Sequence, residues 1–205
     1  ADILLRPSLR ETDFSRVRKL RLDRLRQLTD LPPAVAEHAF VTLLYGEHPY
    51  GHLAIGTEAA LRRIELEQVI DFHARTFRPA RATFAVVGPM SHERLRTVAA
   101  EAFSGWSDES ASAVVDGPED VEATSSSARL AVVARSGAAQ SELRLGHLAA
   151  KRSTPDYPSL VVMNAVLGGQ FASRINLKLR EEKAFTYGAR TGFDWHRGLS
   201  PFVLQ

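Results

Sequence analysis

An acidic, serine-rich stretch at residues 104–128 divides this chain of 205 residues into two parts. The stretch holds six acidic residues and no basic ones, and Trp106 is its only aromatic residue. Such a composition buries too little apolar surface to order itself, which predicts a linker. Because 205 residues suit one compact domain or two small ones, we predict folded parts over residues 1–105 and 129–205, joined by a linker over 106–128.

The part before the linker has a mostly helical pattern. Apolar residues recur at helical spacing, and proline and N-cap signals mark where helices begin. These signals predict helices over residues 14–28, 33–45, 65–76 and 91–103. The sequence His48-Pro49-Tyr50-Gly51 is typical of a turn. A short apolar run at residues 82–87, stopped by Gly88-Pro89, predicts a buried strand.

The part after the linker carries both strand and helix signals. Strands are predicted over residues 129–135, 142–146 and 185–193, and near residues 202–205. A proline-led first turn at Thr154-Pro155-Asp156 begins a helix that ends at Gly168-Gly169, where a left-handed cap is easily made. Ser173 is the expected N-cap of the next helix, which runs through Lys183. The fold class is therefore predicted as α+β, with helices packed on a mixed or antiparallel sheet.

Positive charge is concentrated near the start of the chain. The formal net charge is only +2, but residues 14–28 hold six basic residues against Asp23 alone. A basic helix is one sign of nucleic-acid binding, but the apolar residues of this helix make its charges the solvated face of an amphipathic helix. No nucleic-acid-binding motif accompanies the charge, and no apolar run approaches the ~20 residues of a membrane helix. We expect neither nucleic-acid binding nor membrane insertion.

The residues alone predict neither a metal site nor a catalytic nucleophile. The chain has no cysteine. His48 and His52 are four residues apart, but Pro49 and Gly51 oppose the helix that would align the two rings, and the glutamate needed as general base is missing. No G-x-S-x-G serine motif occurs, and Gly168-Gly169 lacks the lysine of a phosphate-binding loop. We expect a structural turn at His48 and no bound metal.

Arg180 and Tyr187 form a candidate pair. Arg180 lies near the end of a predicted helix, and Tyr187 follows seven residues later in a predicted strand. A tight reversal between them would bring a guanidinium and a phenol to one point. Both groups could then donate hydrogen bonds to a peptide carbonyl, or to the oxyanion that forms when the carbonyl is attacked. From the spacing alone, a surface arginine and a half-buried sheet tyrosine are the simpler interpretation.

Several sequence motifs, taken together, match one known family. Residues 179–188, which run Leu-Arg-Glu-Glu-Lys-Ala-Phe-Thr-Tyr-Gly, together with the preceding Gly168-Gly169 and Ser173-Arg174, resemble the second domain of the pitrilysin/insulinase/mitochondrial-processing-peptidase family of zinc peptidases. His48-Pro49-Tyr50-Gly51 and Phe77-Arg78-Pro79 resemble the later part of their first domain. The matches are collinear and cover most of the chain.

The resemblance implies a two-layer α/β architecture of the processing-peptidase type. In that family two similar domains follow one another along the chain, and pairs of them enclose a peptide. The resemblance therefore implies that residues 1–105 are the C-terminal half of a first peptidase-like domain. Residues 129–205 would be the N-terminal half of a second, zinc-free one, after the linker at 106–128.

The resemblance also implies that this chain lacks a zinc site. Active family members hold zinc with an inverted H-x-x-E-H motif and a glutamate on a later helix, and this chain contains no H-x-x-E-H. Arg24 falls where the zinc-binding glutamate is expected, and Leu160, Met163 and Asn164 stand in place of the motif in the second half. No cofactor is expected on this chain itself, and zinc is expected only in a partner or in a region upstream.

By the same resemblance, Arg180 and Tyr187 are expected to hold the substrate carbonyl. The chain would then be the substrate-binding, catalytically inactive part of a zinc metalloendopeptidase. Its expected partners are a peptide and a subunit or domain that bears H-x-x-E-H. Two alternatives stay open: a structural or assembly subunit with no catalytic role, and a piece of a self-sufficient zinc peptidase. A bacterial periplasm or cytoplasm is the expected compartment.

Overall fold

A computed structural model describes residues 1–107 and 128–205 of the chain. These residues form two compact units, and each unit combines separate stretches of sequence. The first unit comprises residues 1–23 and 58–107, and the second comprises residues 24–57 and 128–205. The predicted linker at 106–128 lies almost entirely outside the described residues, and the division into domains at that linker stays a prediction.

Helices dominate the described residues. The α-helices are α1 (Asp2–Leu5), α2 (Glu11–Asp30), α3 (Pro32–Tyr45), α4 (Glu58–Arg63), α5 (Leu66–Thr76), α6 (His92–Ala102), α7 (Tyr157–Asn164) and α8 (Arg174–Asn176). Two π-helical segments, Ala165–Gly169 and Leu177–Glu182, continue α7 and α8, and short 3₁₀ turns occur at Pro49–Gly51 and Pro79–Arg81. The strands are β1 (Leu145–Leu148), β2 (Thr191–Phe193) and β3 (Pro201–Leu204). No helix in the described ranges is long and apolar enough to cross a membrane.

The four helices predicted before the linker are confirmed as α2, α3, α5 and α6. Side chains cap the start of two of them, one of which, at Ser91, was predicted. The Ser91 hydroxyl accepts a hydrogen bond from the Arg94 backbone N–H at 3.3 Å, which satisfies one of the donors left open at the start of α6. At the start of α5, Glu65 and Gln68 form a reciprocal capping box. Helices α5 and α6 therefore begin where local side chains satisfy the first turn.

The strands form one small antiparallel sheet in the second unit. The strand order is β1-β3-β2, with Leu145 opposite Leu204 on one side of β3 and Thr191 opposite Leu204 on the other. Arg190 and Gln205 exchange backbone hydrogen bonds of 2.9 Å, which extends the β2–β3 pairing by one position. The sheet is confirmed as antiparallel, one of the two arrangements expected.

Helix α3 packs on this sheet. Phe40 is buried, and its ring lies so close to the sheet that a Cβ added to Gly146 would come within 3.0 Å of the Phe40 Cζ atom. Arg144 joins the helix to the sheet through a 3.1 Å ion pair with Glu37. A helix covering one face of an antiparallel sheet is the α+β arrangement that the sequence predicts.

Several predicted strands are wrong in whole or in part. Residues 82–87 and 129–135 form no strand, β1 begins at Leu145 rather than at residue 142, and only Thr191–Phe193 of the predicted strand 185–193 is paired. A strand exists only where a neighbour accepts and donates its backbone hydrogen bonds. An apolar run indicates a preference for burial but does not specify that neighbour.

The expected left-handed cap at Gly168-Gly169 is also wrong. Neither glycine has a positive φ, and the helix ends instead in the π-helical segment Ala165–Gly169. A Cβ added to Gly168 would lie 2.3 Å from the Thr191 hydroxyl oxygen and 2.6 Å from the Thr191 backbone nitrogen. The absent side chain at Gly168 therefore permits a close approach between this helix end and strand β2.

Candidate functional site

Arg180 lies in the π-helical segment Leu177–Glu182, with its side chain 36% exposed. Its guanidinium carbon is 4.6 Å from the centre of the Phe171 ring, a cation–π distance. Its Nε is 3.5 Å from a carboxylate oxygen of the adjacent Glu181. Because a guanidinium carries several N–H donors and this side chain is partly exposed, donors are left for a further acceptor.

Tyr187 lies in the loop between this helix and β2, and it is 87% exposed. The helix ends at Glu182, and Ala184, two residues later, has a left-handed φ of 52°. Backbone hydrogen bonds from the Ala184 N–H to the Arg180 carbonyl at 3.2 Å and from the Phe185 N–H to the Leu179 carbonyl at 2.9 Å close this end. Arg180 and Tyr187 therefore stand on either side of one helix end in the same compact unit. The predicted strand position of Tyr187 is wrong.

Asn176 connects the two loops that flank this helix. It is only 5% exposed. Its side-chain NH₂ donates to the Phe171 carbonyl at 2.7 Å, and its side-chain oxygen accepts from the Ala189 N–H at 3.0 Å. One amide group thus spans from the loop before α8 to the loop that carries Tyr187.

A cavity of about 510 Å³ adjoins these loops. Its lining includes Phe171, Asn176, Gly188 and Arg144. Phe171 is the residue whose ring makes the cation–π contact with Arg180, and Gly188 directly follows Tyr187. The Arg144 side chain is 8% exposed and is ion-paired with Glu142 as well as with Glu37, each at 3.1 Å, so its positive charge is largely offset.

His48 belongs to a packed aromatic cluster formed by Tyr45, His48, Tyr50 and His196, whereas His52 is exposed. The Tyr50 ring stacks on His196 with ring centres 4.5 Å apart and meets His48 edge-on at 4.9 Å. His48 Nδ1 accepts a hydrogen bond from the Tyr50 N–H at 3.1 Å and so caps the 3₁₀ turn Pro49–Gly51. The predicted turn at His48 is confirmed.

Tyr45 is the buried member of the aromatic cluster. Its hydroxyl donates to the Leu199 carbonyl at 2.8 Å, and the residue is 6% exposed. Burial raises the pKa of the Tyr45 phenol well above its ordinary value, and the nearby Asp194 and Tyr50 act in the same direction. The cluster therefore attaches the end of α3 to the loop before β3.

The residues that stand where zinc ligands are expected do not suit a metal. Arg24 is exposed on α2, where its guanidinium donates to the side-chain oxygen of Gln27 at 3.4 Å. Leu160, Met163 and Asn164 lie on α7, and Asn164 accepts a hydrogen bond from the Thr191 hydroxyl at 2.8 Å. Within residues 1–107 and 128–205, no three His, Cys, Asp or Glu side chains are grouped to hold a metal ion.

Two solved structures share the fold of this chain. The chain superimposes on the crystal structure of a protease from Helicobacter pylori with a TM-score of 0.87 at 22% identity, covering 98% of this chain and 48% of that one. It superimposes on a peptidase M16 inactive domain from Pseudomonas fluorescens with a TM-score of 0.79 at 24% identity, with the same coverage. The fold is thus one found in peptidases.

The chain belongs to the peptidase M16 inactive domain family, whose family model matches residues 63–205, more than half of the chain. It is 25% identical over 199 residues to an uncharacterized zinc protease of Mycobacterium leprae, covering 95% of this chain and 43% of that protein. It is also 22% identical over 187 residues to the uncharacterized zinc protease YmxG of Bacillus subtilis, covering 91% and 44%. The family resemblance is confirmed, and the chain spans less than half the length of these relatives.

Phe171 and Asn176 are the residues of this region that the sequence did not single out. Their connections reach over five and thirteen residues, from Asn176 back to Phe171 and forward to Ala189. The sequence did offer one signal for Asn176, because it lies within a predicted helix. Asparagine is unfavourable inside a helix unless its side-chain amide has a specific partner.

Proposed function

We propose that this chain is the peptide-binding, zinc-free part of a zinc peptidase. In this proposal Arg180 and Tyr187 donate hydrogen bonds to the carbonyl of the bond to be cleaved. The observation that carries it is the placement of an accessible guanidinium and an exposed phenol at one helix end, within a family described as inactive peptidase domains. The names of the relatives as zinc proteases support the reaction class.

The chemistry of the two side chains suits this role. The Arg180 guanidinium lies over the Phe171 ring at a cation–π distance, and its partly exposed side chain keeps N–H donors for an oxygen acceptor. Tyr187 provides a single O–H donor that is open to solvent. Hydrogen bonds from these two donors to the carbonyl oxygen become stronger as that oxygen gains negative charge. They therefore lower the barrier to attack on the carbonyl.

The zinc implied by the names of the relatives does not fit the residues described in this chain. Arg24 would repel a cation, and the side chains of Leu160 and Met163 offer no ligand that zinc prefers in proteins. We therefore propose that zinc is held by a separate subunit or by a part of the protein outside the described residues. The contribution of this chain is to bind and orient the peptide.

The test is peptide hydrolysis by the full-length protein. It is mixed with a subunit bearing H-x-x-E-H, or assayed alone if the full-length protein carries that motif. We expect Arg180→Ala to reduce kcat by about 10²–10³-fold, the usual cost of removing one oxyanion donor. Tyr187→Phe should reduce kcat in the same direction, because the phenol donor is lost while the ring is kept.

Arg174→Ala is the matched control. Arg174 is an exposed arginine at the start of the same helix, so its removal changes the net charge by the same amount. Its hydrolysis rate should equal that of the unaltered protein. Unchanged rates for both Arg180→Ala and Tyr187→Phe would refute the proposal. Stable binding to the zinc-bearing subunit without any peptide binding would instead select the structural or assembly role.

A further inference from the structure

We propose that Asn176 is a positioning residue, which holds Arg180 and the Tyr187 loop in their binding arrangement through two opposite hydrogen bonds. The inference rests on the proposed function. Asn176 is buried and accepts and donates at once, with partners on both sides of the helix that carries Arg180. It would contact no substrate itself, and would act through the two residues that do.

The first connection runs through Phe171 to Arg180. The Phe171 side chain is 68% exposed, so packing does little to fix its ring. Its backbone is fixed instead, because its carbonyl accepts the 2.7 Å hydrogen bond from the Asn176 amide. The guanidinium of Arg180 lies 4.6 Å from the centre of this ring. The position of Arg180 therefore depends on where Asn176 holds the Phe171 backbone.

The second connection runs through Ala189 to Tyr187. Ala189 is buried, and its N–H donates to the Asn176 side-chain oxygen at 3.0 Å. Tyr187 lies two residues before this anchor and is 87% exposed, so its backbone rather than its ring is what the fold constrains. Within the loop, the Gly188 N–H donates to the Thr186 hydroxyl at 3.2 Å, which shapes the turn around Tyr187. Asn176 is the link from that turn to the helix.

Asparagine is the residue type that this position requires. The Phe171 carbonyl can only accept a hydrogen bond and the Ala189 N–H can only donate one, so the group between them must offer a donor and an acceptor on a short side chain. Aspartate keeps the acceptor but loses the donor, and serine is too short to span both partners. Loss of either the donor or the acceptor leaves the Phe171 carbonyl or the Ala189 N–H buried without a partner, and this displaces the loops.

The test uses the same full-length peptidase assay, with Asn176→Asp and Asn176→Ser. We expect kcat/KM to fall by about 10–100-fold, since a displacement of ~1 Å in a positioned group can reduce the rate by about 10². The same substitutions are then made in protein that already carries Arg180→Ala and Tyr187→Phe. There they should cause no further loss, because the groups that Asn176 positions are gone.

Asn164→Ser is the matched control. Asn164 is another asparagine of the second unit that makes a side-chain hydrogen bond, to the Thr191 hydroxyl at 2.8 Å, without touching Phe171 or Ala189. This variant should lower the melting temperature about as much as Asn176→Ser while keeping kcat/KM. A purely structural role for Asn176 would lower activity by the same factor with or without Arg180 and Tyr187.

Phe171→Leu keeps the inference testable if the Asn176 variants do not fold, because the exposed ring contributes little to the core. Loss of the cation–π contact should reduce kcat/KM by about two- to five-fold, and by nothing in the Arg180→Ala background. The inference would be overturned by full activity of Asn176→Asp, or by an equal loss of activity with and without Arg180 and Tyr187. In either case an inactive Arg180→Ala would still uphold the proposed function. Full activity of Arg180→Ala and Tyr187→Phe would overturn both.

Discussion

The two compact units of this chain differ in what they bury. Every buried residue among those described lies in the second unit, where Phe40, Tyr45 and Ala189 form the apolar core. In the first unit, α5 and α6 have no buried residue. Large apolar side chains there stay in solvent, with Phe72 56% exposed and Val87 fully exposed. Both units are rich in helices, but only the second buries apolar side chains among the described residues.

The difference separates the local signals that begin a helix from the long-range packing that buries its side chains. The first unit has well-capped helices, because a cap needs only residues within one turn of one another. The second unit has an antiparallel sheet, which gives α3 a surface on which to pack. Tertiary packing rather than helix propensity stabilises most helices in proteins. We therefore expect the stability of the chain to depend mainly on residues of the second unit.

The largest difference in stability between the two units should appear when one phenylalanine in each is replaced by alanine. Phe40→Ala should lower the free energy of unfolding by about 3–5 kcal/mol, because it removes a buried ring and leaves a cavity between α3 and the sheet. Phe72→Ala should change it by no more than about 0.5 kcal/mol, because the ring it removes is mostly in solvent. Urea unfolding measures both.

Fluorescence can follow each unit separately. The chain has two tryptophans, Trp106 in the first unit and Trp195 in the second. With Trp106→Phe, Trp195 alone reports the unfolding of the second unit in Phe40→Ala, and with Trp195→Phe, Trp106 alone reports the unfolding of the first unit in Phe72→Ala. Equal losses for the Phe40 and Phe72 variants would show that the comparison between the units is wrong.

A smaller effect is expected at the contact between Gly168 and β2. Gly168→Ala places a methyl group against the Thr191 backbone and should lower the free energy of unfolding by about 1–3 kcal/mol, a typical cost of overpacking. Gly105→Ala is the control in the first unit, because nothing lies within 4 Å of the added methyl group. The urea midpoints of the two variants give the comparison. A Gly168 variant as stable as the Gly105 variant would contradict the close approach.

Much of the helical structure could be predicted from the sequence, and less of the sheet. The apolar spacing of α2, α3, α5 and α6 is local, as are the caps of α5 and α6, so the bounds of these helices follow to within a few residues. The runs at 82–87 and 129–135 have the composition of strands, but pairing is decided by distant residues that a local pattern does not identify. The two glycines at 168 and 169 indicated a helix end correctly and its cap wrongly, because a cap and a close approach both require glycine.

The candidate site was predicted in outline by the family resemblance. The motif at residues 179–188 pointed to Arg180 and Tyr187, and the residues alone favoured the simpler interpretation of a surface arginine and a sheet tyrosine. The roles of Phe171 and Asn176 depend on contacts between two loops that only the folded chain brings together. Sequence spacing carries no information on which of two loops a helix side chain will reach.

The smallest effect concerns the aromatic cluster. Tyr45→Phe keeps the ring but removes the hydroxyl that donates to Leu199, and it should lower the free energy of unfolding by about 0.5–1.5 kcal/mol at neutral pH. Tyr187→Phe, which removes an exposed hydroxyl, is the matched control and should unfold at the unaltered urea midpoint. Equal midpoints for the two variants would mean that the Tyr45 hydroxyl bond contributes nothing.

The raised pKa of Tyr45 gives this last prediction a second measurement. In the unfolded chain a tyrosine loses its proton near pH 10, whereas burial keeps the Tyr45 phenol protonated in the folded protein at that pH. Above pH 10 the folded state therefore binds more protons than the unfolded state, and stability falls as the pH rises. Below pH 10 both states keep the proton, so this group adds no pH dependence. The stability difference between the unaltered protein and Tyr45→Phe should thus be constant up to about pH 10 and shrink above it. A difference that stays constant to higher pH would place the Tyr45 phenol in solvent rather than in the core of the second unit.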